Sequence, residues 1–397
     1  MKLFYIANIR LPTEKAHGLQ IMQNCEAFAA NGAAVTLYVA RRRNTPEMQA
    51  VAAKTDVWTH YGVARNFQIA SIASIDLYGP LERVLGPVPF WLQQVTFTLF
   101  AVLTLLFQRA DVYYSRDMFT LLVLSLIKPR HRLIYEAHTL SKSRIGGAVQ
   151  RLCARRVGVV VAVTGTLAAR LREGGARRAI VEHDGFRIDR FVGLPTRPAA
   201  RSALNLPAEA FIVGYVGRLH TMSMSKGVDV LIEAIAAAER PISLCLVGGP
   251  DEMAEALRRQ WERVGLPPEH FLFVGQVPPA RVPLYIAAFD VCAMPFPFTE
   301  HFAYYASPLK LFEYMAVGGA IVASDLPAVA EVVRHGESAL LTPPDDVPAL
   351  RDALRAVYDD AELRDRLGAA AKQAAGHYAW SARASRILAV IREEVGK

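Results

Sequence analysis

Residues 307–325 have the sequence SPLKLFEYMAVGGAIVASD, in which a helix signal is followed directly by a strand signal. Pro308 suits a first helical turn, and Gly318 and Gly319 can end a helix with positive φ. Between them, apolar side chains recur at helical spacing, at Leu309, Leu311, Phe312, Met315 and Ala316. The run 320–323 is apolar throughout, which is typical of a parallel strand buried on both faces. The stretch therefore predicts a short helix packed on a buried sheet.

Glu313 is the exception in this stretch because it lies among apolar neighbours. Burying a lone carboxylate costs several kcal/mol or forces it to take up a proton. The side chain must therefore be paired, turned to solvent or directed at a cleft, and the stretch alone leaves these three alternatives open.

Strands and helices are predicted to alternate along both halves of the chain. The first half begins with a strand at 2–7, a helix at 18–30 and a strand at 34–39, and the second half restarts with a strand at 211–216. The polar segment 190–207, with three prolines, is interpreted as the linker. This order predicts an α/β protein with two Rossmann-like domains, at 1–195 and 196–376, whose strand carboxyl ends face a central cleft.

Composition limits the class of protein. The chain has 397 residues, of which 52% are hydrophobic, enough for two ordinary cores. Four widely separated cysteines show neither disulfide nor zinc spacing, so we expect buried thiols in a reducing compartment. The apolar run after Lys2 is too short for a secretory leader. We therefore expect a cytoplasmic protein.

Charge is unevenly distributed. The net charge is +8, but residues 1–200 carry 26 Lys and Arg against 13 Asp and Glu, whereas residues 201–397 carry 19 against 24. A basic half is expected to attract an anionic partner such as a lipid headgroup or a phosphorylated substrate. The basic clusters are short and accompany no nucleic-acid-binding module, so a nucleic acid is not expected as a partner.

Residues 90–107, FWLQQVTFTLFAVLTLLF, are almost entirely apolar. A membrane-spanning helix needs about 20 such residues, and Gln93, Gln94 and three threonines interrupt this run, so a core helix is predicted. Together with the basic first half, the run also motivates the hypothesis that the protein docks peripherally on the inner face of an anionic membrane.

Charged residues are predicted at the strand ends of the second domain. Arg218 follows a strand and Lys226 precedes a helix, which would place two cations beside a diphosphate, while Glu313 could accept hydrogen bonds from vicinal hydroxyls. In the first domain, Gly18 allows backbone to approach a ligand at a helix N-terminus. His138 follows a strand end and is either a cleft residue or an ordinary surface histidine.

Several motifs, in this order, resemble the retaining GT-B glycosyltransferases of family 4, also called glycosyl transferases group 1. The resemblance covers nearly the whole chain. The segments that carry it are RLPTEKAHG (10–18), EAH (136–138), HDGFRIDRF (183–191), VGRL (216–219) with KG (226–227), FVGQ (273–276) and residues 307–325. It implies the GT-B fold and a terminal helix, 377–397, that crosses back onto the first domain.

The resemblance also implies roles for individual residues. Arg218 and Lys226 would hold the diphosphate and act in catalysis together with His138, which would contact the donor sugar. Glu313 would bind the ribose. The remaining donor-binding positions are Gly18 at the phosphate or sugar, and Val274 and Gly275 at the base. Since Pro308 lacks an N–H group, the amides of Ser307 and Leu309 are the expected phosphate contacts.

Tyr305 departs from the family pattern because a second, sugar-contacting glutamate often stands eight residues before the ribose-binding one. Tyrosine can form a hydrogen bond but brings no charge, and Glu300 could substitute only if its loop folds inward. The loop from Arg218 to Lys226 also looks longer than usual. Which of Tyr305 and Glu300 contacts the sugar stays open.

The activity expected from the resemblance is transfer of a hexose from a nucleoside-diphosphate sugar to a glycan or lipid-linked acceptor in polysaccharide biosynthesis, with retention of configuration. No DxD motif is present, so neither a metal nor another cofactor is expected. Two alternatives remain, a GT-B nucleotide-sugar epimerase and a non-catalytic donor-binding subunit.

Overall fold

The computed structural model describes residues 1–13, 15–77, 86–221 and 224–396. They form two compact units. Met1–Asp184, together with the residues from Trp380 on, make the first unit, and Gly185–Ala379 make the second. Three parts of the sequence predictions lie outside the described residues: Glu14 in the 10–18 motif, residues 222–223 before Lys226, and Lys397 at the end of the terminal segment.

The first unit contains a seven-stranded sheet whose described pairs are all parallel. Its order is β3-β2-β1-β4-β5-β6-β7. The strands are β1 (Lys2–Ala7), β2 (Ala34–Ala40), β3 (Gln68–Ile72), β4 (Val112–Ser115), β5 (Leu133–Ala137), β6 (Val159–Ala162) and β7 (Ala179–Val181). The order reverses between β1 and β4, and the outer ends of strands at such a switch point are where open α/β sheets bind ligands.

Seven described α-helices of the first unit connect these strands: α1 (Ala16–Ala30), α2 (Pro46–Lys54), α3 (Val57–Tyr61), α4 (Val88–Leu106), α5 (Met118–Leu124), α6 (Arg144–Arg156) and α7 (Gly165–Glu173). Leu3 and Tyr5 of β1 share a core cluster with α1, and the described members of that cluster include no side chain of α4, α5 or α6. Side chains alternate along a strand, and α4 packs on α5 and α5 on α6. These three helices therefore cover the opposite face of the sheet as one layer.

The prediction that α4 is a core helix is wrong. Its buried side includes the polar residues Gln93, Gln94 and Thr98, whereas Leu99 and Leu103 are about half exposed, at 53% and 50%. The polar side faces inward because it has partners there. The Asn8 amide donates to both glutamines (3.2 and 2.9 Å), and Gln94 donates to the Asp117 carboxylate (2.8 Å). Among the described residues, α4 is the one helix long and apolar enough to cross a bilayer.

The second unit contains a six-stranded parallel sheet of order β12-β11-β8-β13-β14-β15, and a separate hairpin of β9 and β10. The strands are β8 (Phe211–Val216), β9 (His220–Thr221), β10 (Met224–Ser225), β11 (Ile242–Val247), β12 (Phe271–Gly275), β13 (Val291–Met294), β14 (Ala320–Ser324) and β15 (Leu340–Thr342). The switch point of this sheet lies between β8 and β13. The segment before Lys226, predicted as a loop, forms the β9–β10 hairpin in its described part.

The helices of the second unit are α8 (Arg197–Leu204), α9 (Val228–Ala238), α10 (Asp251–Arg263), α11 (Val282–Ala287), α12 (Glu300–Tyr304), α13 (Leu309–Val317), α14 (Pro327–Ala330), α15 (Val347–Asp359) and α16 (Ala361–Ala375). The helix and strand predicted for 307–325 are confirmed. Gly318 ends α13 in the left-handed conformation (φ 84°), and every residue of β14 is buried.

Segment 190–207 is not an open linker. It contains α8, whose Arg201 is buried and donates to the carbonyl oxygens of Ala288 (2.9 Å) and Ala208 (2.7 Å). Arg201 also pairs with the Asp290 carboxylate. The polar composition that indicated a linker therefore belongs to side chains that are paired inside the second unit.

The terminal helix α17 (Trp380–Val395) belongs to the first unit, where it packs against α1. Ile387, Leu388 and Ile391 have no exposed surface, and the Trp380 indole N–H donates to Gln23 (2.7 Å). The predicted return of this helix to the first domain is confirmed. The four cysteines are all buried and free, as expected from their spacing.

Candidate functional site

The predicted diphosphate-binding residues lie around the switch point of the second unit. Arg218 comes two residues after β8, and the segment that follows β13 leads through α12 to α13. A direct hydrogen bond connects the two sides of the switch point, because the backbone N–H of Val216 donates to the buried Tyr314 hydroxyl (2.9 Å). Glu313, next to Tyr314, is therefore held at the same sheet edge as Arg218.

Arg218 is exposed at this edge. Its backbone carbonyl accepts a hydrogen bond from the Tyr215 hydroxyl (2.8 Å), which fixes the turn after β8. Among the described ion pairs none involves the Arg218 guanidinium. An exposed guanidinium on a fixed backbone can donate two parallel hydrogen bonds to a phosphate.

Lys226 is half-buried, and its ammonium group lies over two aromatic rings, 4.3 Å from the Phe296 centroid and 4.2 Å from the Phe302 centroid. Burial lowers the pKa of this lysine to about 8. Gly227, the next residue, has a φ of 74°, and a β-carbon there would overlap the Pro295 carbonyl oxygen. Close backbone contact thus fixes Lys226 against the segment that follows β13.

Helix α13 presents its N-terminus at the same edge. Pro308 is the N-cap residue and forms no side-chain cap, so the first-turn amides, beginning at Leu309, are oriented toward the space beyond the helix end. Ser307 and Leu309 are both partly exposed. The Glu313 carboxylate is paired with the Lys310 ammonium at 2.6 Å. Of the three alternatives left open by the sequence, the described contacts correspond to pairing.

Tyr305 and Glu300 are bonded to each other. The Tyr305 hydroxyl donates to the Glu300 carboxylate (3.1 Å), and the Tyr305 side chain is buried. The pair presents one phenol and one carboxylate together, and which of the two contacts the sugar stays a prediction.

Val274 and Gly275 end strand β12, next to β11. The N–H of Gly248 donates to the Gly275 carbonyl (2.7 Å), and that of Gly217 donates to the Val247 carbonyl (2.8 Å). A β-carbon on Gly248 would overlap the Gly217 carbonyl. The ends of β8, β11 and β12 are therefore joined by close backbone contacts that require glycine.

A pocket of ≈ 400 Å³ lies at the switch point of the first unit, between the ends of β1 and β4. Its lining contains a polar and basic set together with Phe90: Asn8, Arg10, Lys15, His17, Arg42, Arg116 and Asp117. Gly18 lies in the first turn of α1, where an added β-carbon would overlap Thr13 and Tyr61. Packing against Thr13 and Tyr61 within the first unit therefore leaves no room for a side chain at position 18.

His138 is half-buried and follows β5 directly. Its Nε2 atom lies 3.1 Å from the Glu136 carboxylate. Glu136 is inside the strand rather than at its end, with no exposed side-chain surface, and it pairs with Arg116 (3.2 Å) and Arg383 (2.8 Å). Tyr5 donates a further hydrogen bond to it (3.1 Å).

The charges around Glu136 favour its ionised form. Burial alone would raise the pKa of this carboxyl, but the Arg116 and Arg383 guanidiniums hold it well below its ordinary value. Burial would likewise lower the pKa of Arg383, and the Glu136 carboxylate raises it instead. His138 thus lies beside a fixed negative charge whose own position is set by two arginines.

Glu136, His138 and Asp184 bring three possible metal-ligand atoms within 4.8 Å of one another. Two arginines already occupy the Glu136 carboxylate, and a divalent cation there would displace or repel them. The donor set therefore fits a metal ion poorly.

Sequence reasoning missed Tyr314, Arg116 and Arg383. Arg383 carries a signal, since it stands on the apolar side of α17 between Trp380 and Ile387, where an unpaired arginine could not be buried. Tyr314 likewise stands among apolar helix residues, between Phe312 and Met315, where a buried hydroxyl needs a partner. Arg116 follows β4 at the switch point, and only this position in the sequence marks it as a candidate.

Most of the second unit is similar to a known protein family. Residues 210–360 match the family described as Glycosyl transferases group 1. Over these residues the chain is similar to group 1 glycosyltransferases, the family that its motifs resemble.

Proteins similar to the chain include curated relatives from Mycobacterium leprae and Corynebacterium urealyticum. The chain is 34% identical over 210 residues to a phosphatidyl-myo-inositol mannosyltransferase of Mycobacterium leprae, covering 52% of this chain and 53% of that protein. It is 30% identical over 262 residues to a D-inositol 3-phosphate glycosyltransferase of Corynebacterium urealyticum, covering 61% and 59%. The chain thus spans about half the length of these relatives.

The crystal structure of Anabaena HepE in complex with UDP covers 99% of this chain and 100% of its own, with a TM-score of 0.71 and 20% identity. The likeness over the whole chain confirms the GT-B fold predicted from the sequence.

Proposed function

We propose that this protein is a retaining, family 4 glycosyltransferase that moves a hexose from a nucleoside-diphosphate sugar to an acceptor. The observation that carries the proposal is the gathering of Arg218, Lys226 and the Glu313 helix at one switch point of a group 1 glycosyltransferase domain. The sequence match alone names a family, whereas this arrangement supplies the charges that the reaction needs.

The chemistry is largely electrostatic. As the bond between the sugar and the phosphate breaks, negative charge develops on the leaving diphosphate, and Arg218, Lys226 and the amides at the start of α13 stabilise it. Glu313 accepts hydrogen bonds from the ribose hydroxyls. His138, oriented by Glu136, contacts the donor sugar. We propose that the leaving phosphate helps to deprotonate the acceptor hydroxyl on the same face, which gives retention.

We propose that transfer needs no metal. The two cations and the helix N-terminus of the second unit take the role that a divalent ion has elsewhere. The poor fit of the Glu136, His138 and Asp184 group to a metal supports this proposal.

The donor is proposed to be a UDP-sugar in the first instance, because the structurally similar HepE is described in complex with UDP. The donor would also contact Val274, Gly275 and the Tyr305–Glu300 pair. Gly18 would let the start of α1 approach the phosphate or sugar.

The acceptor is proposed to be a glycan or lipid-linked molecule of polysaccharide biosynthesis. Both curated relatives are named for an inositol phosphate or its lipid, and Arg10, Lys15 and Arg116 around the first-unit pocket are suited to such an anionic group. We propose that the protein works in the cytoplasm, peripherally on the inner face of an anionic membrane.

Thermal-shift screening of UDP-, GDP- and ADP-sugars tests donor binding, because a ligand of the folded state raises its melting temperature. Glu313→Ala and Arg218→Ala are expected to abolish sugar transfer at unchanged stability. Glu337→Ala is the matched control, since it removes an exposed glutamate of another i,i+3 pair, with Arg334. Wild-type transfer rates in both site variants would contradict the assignment.

The sugar-transfer assay also separates the two alternative functions, an epimerase and a donor-binding subunit. Incubation with donor alone that yields an isomerised sugar would indicate an epimerase. Donor consumption that requires an added protein would indicate a donor-binding subunit.

A further inference from the structure

Exposed apolar side chains are concentrated on one layer of the first unit. Of the twenty large hydrophobic side chains that the described residues leave exposed, fourteen belong to the segment from α4 to α6. They are Val88, Phe90, Trp91, Val95, Leu99, Phe100, Leu103, Leu106, Phe107, Val123, Leu126, Ile127, Ile145 and Leu152. We call their common surface the apolar face. Contiguous surfaces of this kind mark sites of interaction with a protein or a membrane.

The apolar face extends over three helices that pack side by side. Helix α5 packs on both α4 and α6, so the outward sides of all three lie in one layer. Trp91 of α4, 44% exposed, also packs edge-on against the Phe119 ring of α5 at 5.6 Å. On α6, Ile145 and Leu152 stand seven residues apart and therefore point the same way.

Positive charge accompanies this face. Residues 88–156, all of which the structure describes, contain three carboxylates, at Asp111, Asp117 and Glu136, and none of these residues is exposed. The exposed charged residues of the segment are all cations: Arg109, Lys142, Arg144, Arg151, Arg155 and Arg156. Lys128 adds a partly buried cation beside the end of α4, where it donates to the carbonyls of Leu106 and Gln108.

We infer that the apolar face is a docking surface for an anionic lipid bilayer, on which α4 lies in the plane of the interface. Apolar side chains enter the headgroup region while Arg144 and Arg151 contact lipid phosphates. A second copy of this chain is a poorer occupant, because a symmetric contact would bring the same arginines toward each other without carboxylates to pair them.

Helix α4 is expected to lie on the bilayer rather than cross it. Its inner side is held by the hydrogen bonds of Gln93 and Gln94 to Asn8 and Asp117. Moving the helix into hydrocarbon would break these bonds and leave buried polar groups without partners, which is costly. The apolar outer side can enter the interface with all of them intact.

Phe90 connects this surface to the first-unit pocket, since it belongs to the apolar face and also lines the pocket. On the proposed function, an acceptor whose tail remains in the bilayer could thus present its polar head to Arg10 and Arg116. Docking itself does not depend on that activity, and it is measured without donor or acceptor.

The test is co-sedimentation of the whole protein with vesicles of phosphatidylcholine and with vesicles of equal parts phosphatidylcholine and phosphatidylglycerol. Binding to the anionic vesicles and little to the neutral ones is expected. Leu99→Glu with Leu103→Glu should lower the partition constant at least tenfold. The matched control, Val192→Glu with Val264→Glu, places glutamates at exposed valines of the second unit and should leave it unchanged.

Arg144→Gln with Arg151→Gln tests the positive charges without changing the apolar side chains. It alters only exposed residues, so it remains informative if the variant with Leu99→Glu and Leu103→Glu fails to fold. Each cation near an anionic surface contributes about fivefold to binding, which predicts a loss of more than tenfold for the two. Arg259→Gln with Arg263→Gln, exposed on α10, is the control.

Failure of the wild-type protein to bind anionic vesicles overturns the inference, and so does an equal loss in the controls. Light scattering tests self-association. If the wild type is a dimer, and the Leu99 and Leu103 substitutions split it without changing vesicle binding, the apolar face is a contact between two copies of the chain instead.

Discussion

Arg383 and Glu136 form an ion pair in the core of the first unit, with 2.8 Å between Nη2 and Oε1 and no exposed surface on either side chain. They are 247 positions apart in the sequence. Arg383 also donates to the His183 carbonyl (2.7 Å) and to the Asn24 side chain (3.1 Å). A residue of the terminal helix thereby fixes the carboxylate that orients His138.

Arg383→Met is expected to destabilise the first unit by about 3–5 kcal/mol, because removing one partner of a buried ion pair leaves the other charge uncompensated. Arg392→Met is the matched control on the same helix. Its side chain is exposed, and the one hydrogen bond described for it is a long one to the Asn31 carbonyl (3.5 Å), so the loss should be at most about 0.5 kcal/mol. Hydrogen exchange of the β5 amides measures both, and equal losses would contradict a special role for Arg383.

The pKa of Glu136 predicts how this stability depends on pH. Its folded-state pKa is held below the unfolded value of about 4.3, so the folded protein binds fewer protons. The contribution is therefore present above about pH 4.3 and lost as the pH falls through the lowered folded value. The difference in unfolding free energy between wild type and Glu136→Gln should be constant near neutrality and shrink in acid.

Urea unfolding at a series of pH values measures this difference. Glu337→Gln, at an exposed carboxylate, is expected to show almost no difference at any pH. If the difference in unfolding free energy between wild type and Glu136→Gln stays constant down to pH 3, a group other than Glu136 causes the acid sensitivity.

Lys226 predicts the pH dependence of diphosphate binding. Since burial lowers its pKa to about 8, the ammonium loses its proton as the pH rises through 8, and UDP affinity should fall over that range. Lys226→Arg should remove the fall while keeping affinity, because arginine stays charged. Lys226→Met should bind weakly at every pH. Calorimetry with UDP measures all three, and an unchanged pH profile in Lys226→Met would exclude the lysine as the cause.

The contact between Gly227 and Pro295 predicts a large effect of a single methyl group. Gly227→Ala must move the Pro295 carbonyl in addition to placing a side chain at positive φ, which alone costs about 1–2 kcal/mol. Gly265→Ala is the control, because Gly265 has a similar φ of 83° with no atom within 4 Å of the added carbon. Thermal unfolding should show a clearly greater loss for Gly227→Ala, and equal losses would show that the contact relaxes freely.

The sequence was sufficient to predict the fold because local signals agreed with one another. The helix and strand at 307–325 follow from periodicity and from Gly318, and buried strands in both halves follow from short apolar runs. The inner side of α4 could not be predicted in this way. Gln93 and Gln94 face the core only because Asn8 and Asp117, distant in sequence, satisfy their amides.

The candidate site was predictable where the residue type itself carries the chemistry, as with Arg218, Lys226 and Glu313. Whether these residues bind a donor stays a prediction. The supporting residues were harder to predict. Arg201 looks like a solvated charge in sequence, and the helical position of Arg383 indicates burial but not its partner Glu136, which lies 247 positions away and is reached only through tertiary packing. Composition likewise could not indicate that most apolar side chains of α4 point outward.

The position of Arg383 has a consequence for biosynthesis. During translation the whole of residues 185–379 must leave the ribosome before the guanidinium that neutralises Glu136 exists, so a nascent first unit waits with that carboxylate only partly compensated. A premature stop between Thr342 and Trp380 would leave α1 without the terminal helix that packs against it. Such products would leave Gln23 and Asn24 without the side chains of Trp380 and Arg383 that bond them and would become targets for chaperones and proteases, although every strand of both sheets had been made.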